Sequence, residues 1–485
     1  MQYAALRGLS AVYGNRGDIP AAIATIGRIV ALPEAPLEES IRLRCMSAQL
    51  QVLIGALTPD AGLHIGAATL DHGLEIGDST TQCLAHQMLG VVNLVTGHGS
   101  QARVHLEYGI ALYDSGKVTP ASYLIPDHFH AIGLVELGEL EAALAAAAAA
   151  RSRYERQGAL SQLPMAYMIA GLVHFYAGRF DEAIAELEAG AAVVEDTGNL
   201  NFVLFSESVF ARMAISRGDF ASAGAYLASG IARLTSGGSL FGADWLFDAQ
   251  TQFLAASGDL EGAVNVAQLT WSQTEPLRFF YGYRERGIVA ARLAMASGRA
   301  DFANAVAESV EEGSRRSPTV SAHAFALQAR GLVDGDVNRL VDAVELFRKT
   351  PLLIALASCC EDAADALIAA RRNDEAVGLV REAVSIYSGA GALGDIERNE
   401  AALRRLGLRT KAARPARPTF GWESLTPTEM AVTELATHGL TNPDIGARLY
   451  VSRRTVETHL AQVYRKLDCV GRTQLAAEFT RRTTA

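Results

Sequence analysis

Hydroxyl, amide and cationic side chains are concentrated between residues 442 and 466. Groups of these types donate hydrogen bonds to phosphate oxygens and to the polar edges of nucleic-acid bases. Because several of them are three or four residues apart, they would share one side of a helix. The candidates on that side are Arg454, Glu457, Thr458, Ala461, Gln462 and Arg465, and Ser452 and Arg453 stand at the start of the helix.

Catalytic and nucleotide-binding motifs are absent from the sequence. It contains no GxxxxGK[ST] loop, no GxSxG turn and no HExxH pair. His128 and His130 lack a third ligand, and none of the five cysteines belongs to a CxxC pair, so neither a metal site nor a disulfide framework is indicated. We therefore expect no enzyme activity, no cofactor and no bound metal.

The candidate binding residues lie in a basic tail that follows an acidic body. Residues 409–482 contain 12 Lys or Arg and 7 Asp or Glu, whereas the other residues carry a net charge of -15. This asymmetry is typical of a nucleic-acid-binding module on a scaffold. No apolar stretch reaches the roughly 18 residues of a membrane span, and the first residues of the sequence lack the basic-then-apolar layout of a secretory signal. We expect a cytoplasmic, nucleoid-associated protein with no membrane contact.

Short helices with clear punctuation position the candidate residues. Thr426, Pro427 and Glu429 form a capping box with proline at the first helical position, and Gly439 ends that helix. Asn442 and Pro443 begin a second helix by the same logic. The third helix is capped by Ser452, and a fourth follows Gly471. The third helix buries a stripe that consists of Val456, Leu460, Val463 and Leu467. Two short helices are joined by a tight turn, and the second helix is basic on its outer face. This arrangement indicates a helix-turn-helix, whose second helix fits the roughly 12 Å major groove of DNA.

This segment closely resembles the LuxR-type DNA-binding domain. The matching residues are Leu425, Thr426, Glu429, Gly439, Leu440, Asn442, Ile445, Ala447, Leu449, Val451, Ser452, Thr455, Val456, His459, Leu460, Lys466, Leu467, Arg472, Thr473 and Ala476. The resemblance implies a four-helix domain over 425–485 that binds double-stranded DNA. In this family the fourth helix often provides the contact between the two subunits of a homodimer.

The same resemblance implies roles for individual residues. It assigns phosphate contacts to Asn442, Arg454, Thr455 and Lys466, and base contacts to the region of Glu457, Thr458 and Ala461. Glu457 stands where the family often has lysine, and Ala461 offers only a methyl group, so the DNA sequence read by this chain is left open.

A repeat of 40 residues organises the body. Gly138, Gly178, Gly218, Gly258 and Gly298 are 40 residues apart, and each is followed five residues later by alanine, from Ala143 to Ala303 and on to Ala343. An apolar stretch with helical spacing flanks each glycine on both sides, as in 165–177 and 180–194, where Ile184, Leu187 and Ala191 form the expected stripe. Glycine adopts the positive φ that ends a helix, so each repeat reads as two antiparallel helices.

The repeat is similar to the tetratricopeptide motif in Ala170, Gly171, His174, Gly178, Phe180, Ala183 and Leu187. We therefore predict an all-α fold, with a tetratricopeptide-like solenoid of nine or ten helix pairs over 1–406. A Pro/Arg-rich linker over 407–424 and the LuxR-type domain over 425–485 follow.

Aromatic residues in the body indicate an effector site. Phe241, Trp245, Tyr281 and Arg284 are the candidates, and Phe241 and Tyr281 are one repeat apart. Their side chains would suit a small molecule or peptide in the concave face of the solenoid. The alternative is that these rings pack only between helices.

The order of repeat body and C-terminal domain also resembles the large LuxR-type regulators of the maltose-activator type. Those proteins carry an ATPase module before the repeats, which this sequence does not show. The resemblance implies a transcriptional regulator whose solenoid senses a small molecule, a peptide or a partner protein. The alternative is an interaction scaffold with a tail that does not bind DNA.

Overall fold

The computed structural model describes residues 2–119, 124–236, 241–274, 283–405, 420–449, 451 and 453–483. In this part of the chain it contains 25 α-helices and no β-strand, which confirms the predicted all-α class. No helix in the same part is long and apolar enough to cross a bilayer.

Twenty-one of these helices form the body, and they pair in antiparallel fashion along the chain. Their bounds are α1 Gln2–Arg16, α2 Ile19–Val30, α3 Leu37–Leu53, α4 Pro59–Glu75, α5 Ser79–Val95, α6 Gly99–Asp114, α7 Pro126–Glu136, α8 Leu140–Gln157, α9 Leu163–Tyr176, α10 Phe180–Thr197, α11 Val203–Arg217, α12 Phe220–Thr235, α13 Ala243–Ala256, α14 Leu260–Thr274, α15 Tyr283–Ala296, α16 Ala300–Arg316, α17 Val320–Asp334, α18 Val337–Phe347, α19 Leu353–Ala369, α20 Asn373–Ala390 and α21 Leu393–Arg405. The described residues thus give ten pairs and a closing helix, as the tetratricopeptide-like prediction requires.

The periodic glycines and alanines explain why the pairs form. All five periodic glycines have positive φ, between 69° at Gly178 and 91° at Gly258, and each lies in the turn between two helices. The alanines five residues later are fully buried, with 0% exposure from Ala143 to Ala343. Because alanine has no side chain beyond Cβ, the two helices of a pair can approach closely there.

The buried stripe of α10 lies one residue earlier at its ends than predicted. Ala183, Leu187 and Gly190 are buried, whereas Ile184 is only partly buried and Ala191 is exposed. A side chain at Gly190 would meet the Cβ of Tyr167 at 2.9 Å, so α9 occupies that space. The predicted stripe was therefore wrong for Ala191, whereas Ile184 is partly buried and packs against the apolar core.

Contacts between distant repeats close the body on itself. The amide of Leu200 donates to the carbonyl of Asn15 at 2.9 Å, which joins the first pair to the segment after α10. Further along, α9 and α11 touch α19 and α21. A side chain at Gly394 would lie 2.8 Å from the backbone nitrogen of Gly218, so only glycine fits this crossing.

The C-terminal segment forms a second unit with its own core. Its helices are α22 Pro427–Thr437, α23 Asn442–Leu449, α24 Arg453–Leu467 and α25 Arg472–Thr483. A separate apolar cluster holds them together and consists of Leu425, Val432, Ala436, Ile445, Val456, Leu460, Val463, Cys469 and Leu475. Because these side chains pack on one another and not on the body, we expect the segment to fold alone.

The predicted linker begins at 407 and is described only from residue 420 onward. The described end of it packs on the C-terminal unit: Trp422 lies 5.9 Å from the ring of Phe479, and Gly421 donates to the carbonyl of Lys466 at 2.7 Å. The boundary at 425 stays a prediction.

Candidate nucleic-acid interface

The capping box of α22 is present as predicted. The amide of Glu429 donates to the Thr426 hydroxyl at 3.0 Å, and the Thr426 amide donates to the Glu429 carboxylate at 2.8 Å. These bonds fix the start of α22. Gly439, with φ of 85°, follows the end of the helix and turns the chain toward α23.

The start of α23 differs from the prediction, because Thr441 and not Asn442 provides the cap. The Thr441 hydroxyl donates to Asp444 at 2.6 Å, and the Asp444 amide donates back to that hydroxyl at 3.4 Å. Asn442 instead accepts a hydrogen bond from the Arg472 guanidinium at 2.9 Å, which ties α23 to α25. Threonine also caps helices, although less well than asparagine, so the spacing from Pro443 alone misplaced the cap.

Helix α24 has the two faces that its sequence indicates. Val456, Leu460 and Val463 are buried in the domain core, and Leu467 packs against it. The opposite side exposes Glu457, Ala461 and Arg465, while Thr458 and Gln462 are partly exposed beside them. The predicted base-reading positions therefore lie together on an outward surface.

Several candidate residues have partners within the domain. Arg453 donates to Glu457 at 2.7 Å one turn later, and Arg465 donates to Gln462. Thr455 is fully buried, and Ser452 lies outside the described residues. The predicted phosphate contacts are thus not all on one surface.

Lys466 contacts the capping box. Its ammonium lies 2.7 and 2.9 Å from the two carboxylate oxygens of Glu429, and both side chains are largely buried. This pair joins the end of α24 to the start of α22. The sequence did not reveal it, because the two residues are 37 positions apart.

Three contacts join this domain to α10 of the body. Arg454 pairs with Asp196 at 2.8 Å, Gln462 donates to Glu188 at 3.3 Å, and the Thr428 hydroxyl donates to Glu182 at 3.1 Å. We call these three carboxylates the α10 acidic face. No sequence signal identified it, since acidic residues occur throughout the body.

A neutral histidine lies in α24 near the same contact. Burial, together with the nearby Lys466 ammonium, lowers the pKa of His459 to about 4. Burial also lowers the pKa of His174 on α9 to about 3, and the neighbouring Arg179, Arg151 and His459 act in the same direction. Neither ring carries charge at neutral pH, so the positive charge facing α10 comes from Arg454.

The predicted effector residues separate in the structure. Phe241 and Trp245 both line one cavity of about 610 Å³. Arg284 is buried elsewhere, where its guanidinium donates to the carbonyl of Glu136 at 2.9 Å. Tyr281 lies outside the described residues.

The wall of this cavity is mainly apolar. Residues of the turn before α2 and of α2, α3, α5, α7, α9, α11, α12, α13 and α14 line it. Prominent members are Leu94, Ile132, Met165, Met168, Phe205 and Trp245. A smaller cavity of about 190 Å³ shares Phe129, Phe202 and Phe241 with it. The rings also pack on one another, with the Phe205 and Trp245 centroids 5.5 Å apart. The interpretation of these aromatic residues as an effector site stays a prediction.

Comparison with known proteins defines the class of the C-terminal domain. Residues 423–479 match the family model described as bacterial regulatory proteins, luxR family. The chain thus carries a luxR-family helix-turn-helix domain behind a tetratricopeptide-like body, which confirms the predicted resemblance.

Individual relatives are similar over short stretches. A protein of Mycobacterium bovis named as an HTH-type transcriptional regulator is 56% identical over 66 residues, which are 14% of this chain and 8% of that protein. The transcriptional regulatory protein LiaR of Bacillus subtilis is 43% identical over 54 residues, 11% of this chain and 26% of LiaR. The crystal structure of yeast Tom70 aligns with 84% of this chain and with 97% of the Tom70 chain, at 11% sequence identity. The TM-score is 0.26, which is too low to support an argument.

Proposed function

We propose that this protein is a transcriptional regulator that binds double-stranded DNA through its C-terminal domain and senses an effector in its helical body. The observation that carries the DNA-binding part is the outward side of α24 in a luxR-family domain with its own core. Glu457, Thr458 and Ala461 lie on that side, where an acceptor and two methyl groups suit cytosine and thymine edges. Binding to the chromosome would make the protein cytoplasmic and nucleoid-associated.

The phosphate contacts in this proposal come from residues beside the base-reading side. Arg453, Arg454 and Arg465 are cationic and sit on α24 close to the expected backbone of DNA. Asn442, Ser452 and Gln462 complete the proposed set, while Thr455, which is buried, and Lys466, which pairs with Glu429, stay predictions from the family resemblance.

Selection of bound sequences from random duplex DNA with residues 420–485 tests this part. We expect a recurrent sequence of a few base pairs, because each well-placed base contact discriminates by about 1–3 kcal/mol. Enrichment of no sequence, together with no retention of duplex DNA at low salt, would contradict the proposal and favour the scaffold alternative.

Dimerisation is proposed through the region of α25. Val470, just before this helix, is 97% exposed. A single exposed apolar side chain is ordinary, so the family resemblance supports this part of the proposal. A homodimer predicts that the selected sequence is a palindrome with two half-sites.

The effector site that we propose is the 610 Å³ cavity. Its volume lies within the range of small-molecule pockets, roughly 300–1,000 Å³. Because the wall is mainly apolar, the matching effector is an uncharged, largely apolar small molecule. Phe241 and Trp245 would contact it directly, while Tyr281 and Arg284 remain predictions.

Binding of the uncharged dye N-phenyl-1-naphthylamine to the full chain tests this cavity. We expect dye fluorescence to rise on binding, and the substitution Met168→Trp to abolish the rise by filling the space. Leu269→Trp is the matched control, because Leu269 is exposed and lies outside the cavity. Equal dye binding by the Met168→Trp variant would contradict the assignment.

A further inference from the structure

Helix α24 has a second neighbour besides its own domain, since one side of it packs against α10 of the body. The contact is polar: Arg454, Gln462 and Thr428 each meet one carboxylate of the α10 acidic face, at 2.8, 3.3 and 3.1 Å. The paired residues are more than 240 positions apart along the chain.

The residues in this contact belong to the proposed DNA interface. Arg454 is a proposed phosphate contact, and Gln462 lies on the outer side of α24 next to Ala461. The carboxylates of Asp196 and Glu188 therefore occupy donors that DNA would need. A carboxylate and a phosphate make the same kind of charge-assisted hydrogen bond to a guanidinium, so the two acceptors compete.

Space leads to the same conclusion as charge. An α-helix with its side chains is about 10–12 Å across, and the major groove is about 12 Å wide. The groove therefore takes one helix, and α24 cannot enter it while α10 is packed alongside. Glu457, Ala461 and Arg465 are exposed in the docked arrangement, but they cannot reach the floor of the groove without the rest of α24.

We infer that the α10 acidic face is a docking surface for the side of α24 that carries Arg454 and Gln462, next to the base-reading positions, and that docking excludes DNA. The inference rests on the proposed function and adds a way in which DNA binding is regulated. The occupant of this surface is the chain's own C-terminal domain, which leaves α10 before it binds a duplex. The docked form is then the low-affinity form of the regulator.

The test compares duplex binding by the full chain, by residues 420–485 and by a full-chain variant with Glu182→Gln, Glu188→Gln and Asp196→Asn. The fluorescence anisotropy of a labelled duplex selected with residues 420–485 gives each Kd. We expect the full chain to bind more weakly than the segment. Exposed polar pairs contribute modestly, so the triple variant should bind about three- to tenfold more tightly than the unaltered full chain.

A matched control removes the effect of net charge. Asp60→Asn, Asp71→Asn and Glu75→Gln neutralise three exposed acidic residues on α4 and leave α10 intact. This control should change the Kd much less than the α10 variant does.

The outcomes separate the two proposals. No binding by residues 420–485 would overturn the proposed function itself. Tight binding by that segment and equally tight binding by the full chain would overturn the docking inference alone. The inference also fails if the full chain binds weakly but the α10 and α4 variants behave alike.

Discussion

At the scale of single residues, Arg454 is the residue on which docking and DNA binding converge. Its guanidinium lies 2.8 Å from Asp196 in the structure and is a proposed phosphate contact in the complex with DNA. The sequence could predict the second role, because the position matches a family pattern. It could not predict the first, because nothing local to Arg454 indicates a partner 258 residues away.

Replacing Arg454 in residues 420–485 isolates its role on DNA, since α10 is then absent. We expect Arg454→Ala to weaken binding to all duplexes alike and to reduce the salt slope by about 1, as loss of one phosphate contact would. Glu457→Gln should instead change the preferred bases. Titration of duplex DNA at several salt concentrations measures both.

Arg481→Ala is the control for Arg454→Ala, because Arg481 is exposed on α25 and both substitutions remove one positive charge. A salt slope that falls equally in both variants would show that Arg454 acts only through net charge.

His128 provides a residue-scale prediction about stability. Its ring is fully buried against Tyr154, neither ring nitrogen has a hydrogen-bond partner within the described structure, and burial lowers its pKa to about 3. Unfolding exposes the ring, whose pKa then returns to about 6.5. Between these values the unfolded chain holds a proton that the folded chain does not, so this histidine destabilises the fold as pH falls below about 6.5.

The substitution His128→Phe removes that proton uptake. Relative to the variant, the unaltered chain should lose about 1.4 kcal/mol of unfolding free energy for each pH unit below about 6. Denaturant titrations at pH 7.5 and pH 5 measure the difference, and the pH 7.5 value corrects for the change in packing. If the two proteins differ in unfolding free energy by the same amount at both pH values, the lowered pKa of His128 is refuted.

At the scale of elements, the turns and the alanine positions of the repeats were predictable, because glycine with positive φ and alanine at a helix crossing are local requirements. The contacts that turn helix pairs into a closed body were not. Asn15 and Leu200, or Gly218 and Gly394, meet only after many pairs have stacked. The register of the stripe on α10 also depended on a neighbour, since Tyr167 lies against Gly190.

Packing at the repeat alanines gives the element-scale prediction. Ala183 is fully buried where α9 and α10 cross, so Ala183→Leu should destabilise the body by about 1–3 kcal/mol through overpacking. Ala191 lies on the exposed side of the same helix, and Ala191→Leu should change stability by less than about 0.5 kcal/mol. Thermal unfolding of both variants provides the comparison, and equal losses would mean that α9 does not limit the space at Ala183.

At the scale of the whole molecule, the protein combines an acidic repeat body with a basic luxR-family domain that can reach it. The sequence revealed both parts and their charges, because each has its own repeating or motif-like pattern. It could not reveal that α24 rests on α10, or that α2 and α3 line a cavity together with α7, α9, α11 and α13. Both features join segments that share no local pattern.

The proposed effector cavity and the α10 acidic face are separate surfaces of one body. Met165 and Met168, which line the cavity, lie on α9, the helix paired with α10. This adjacency offers a short physical route by which an occupied cavity could alter docking of α24, through movement of α9 against α10.

The central claim is that α24 reads duplex DNA from the major groove, and methylation interference tests it most directly. Dimethyl sulfate methylates guanine N7 in the major groove and adenine N3 in the minor groove. On a duplex selected with residues 420–485, we expect methylated guanines within the selected sequence to block binding, while methylated adenines have little effect. Binding that is blocked only by minor-groove methylation, or by neither, would contradict the account.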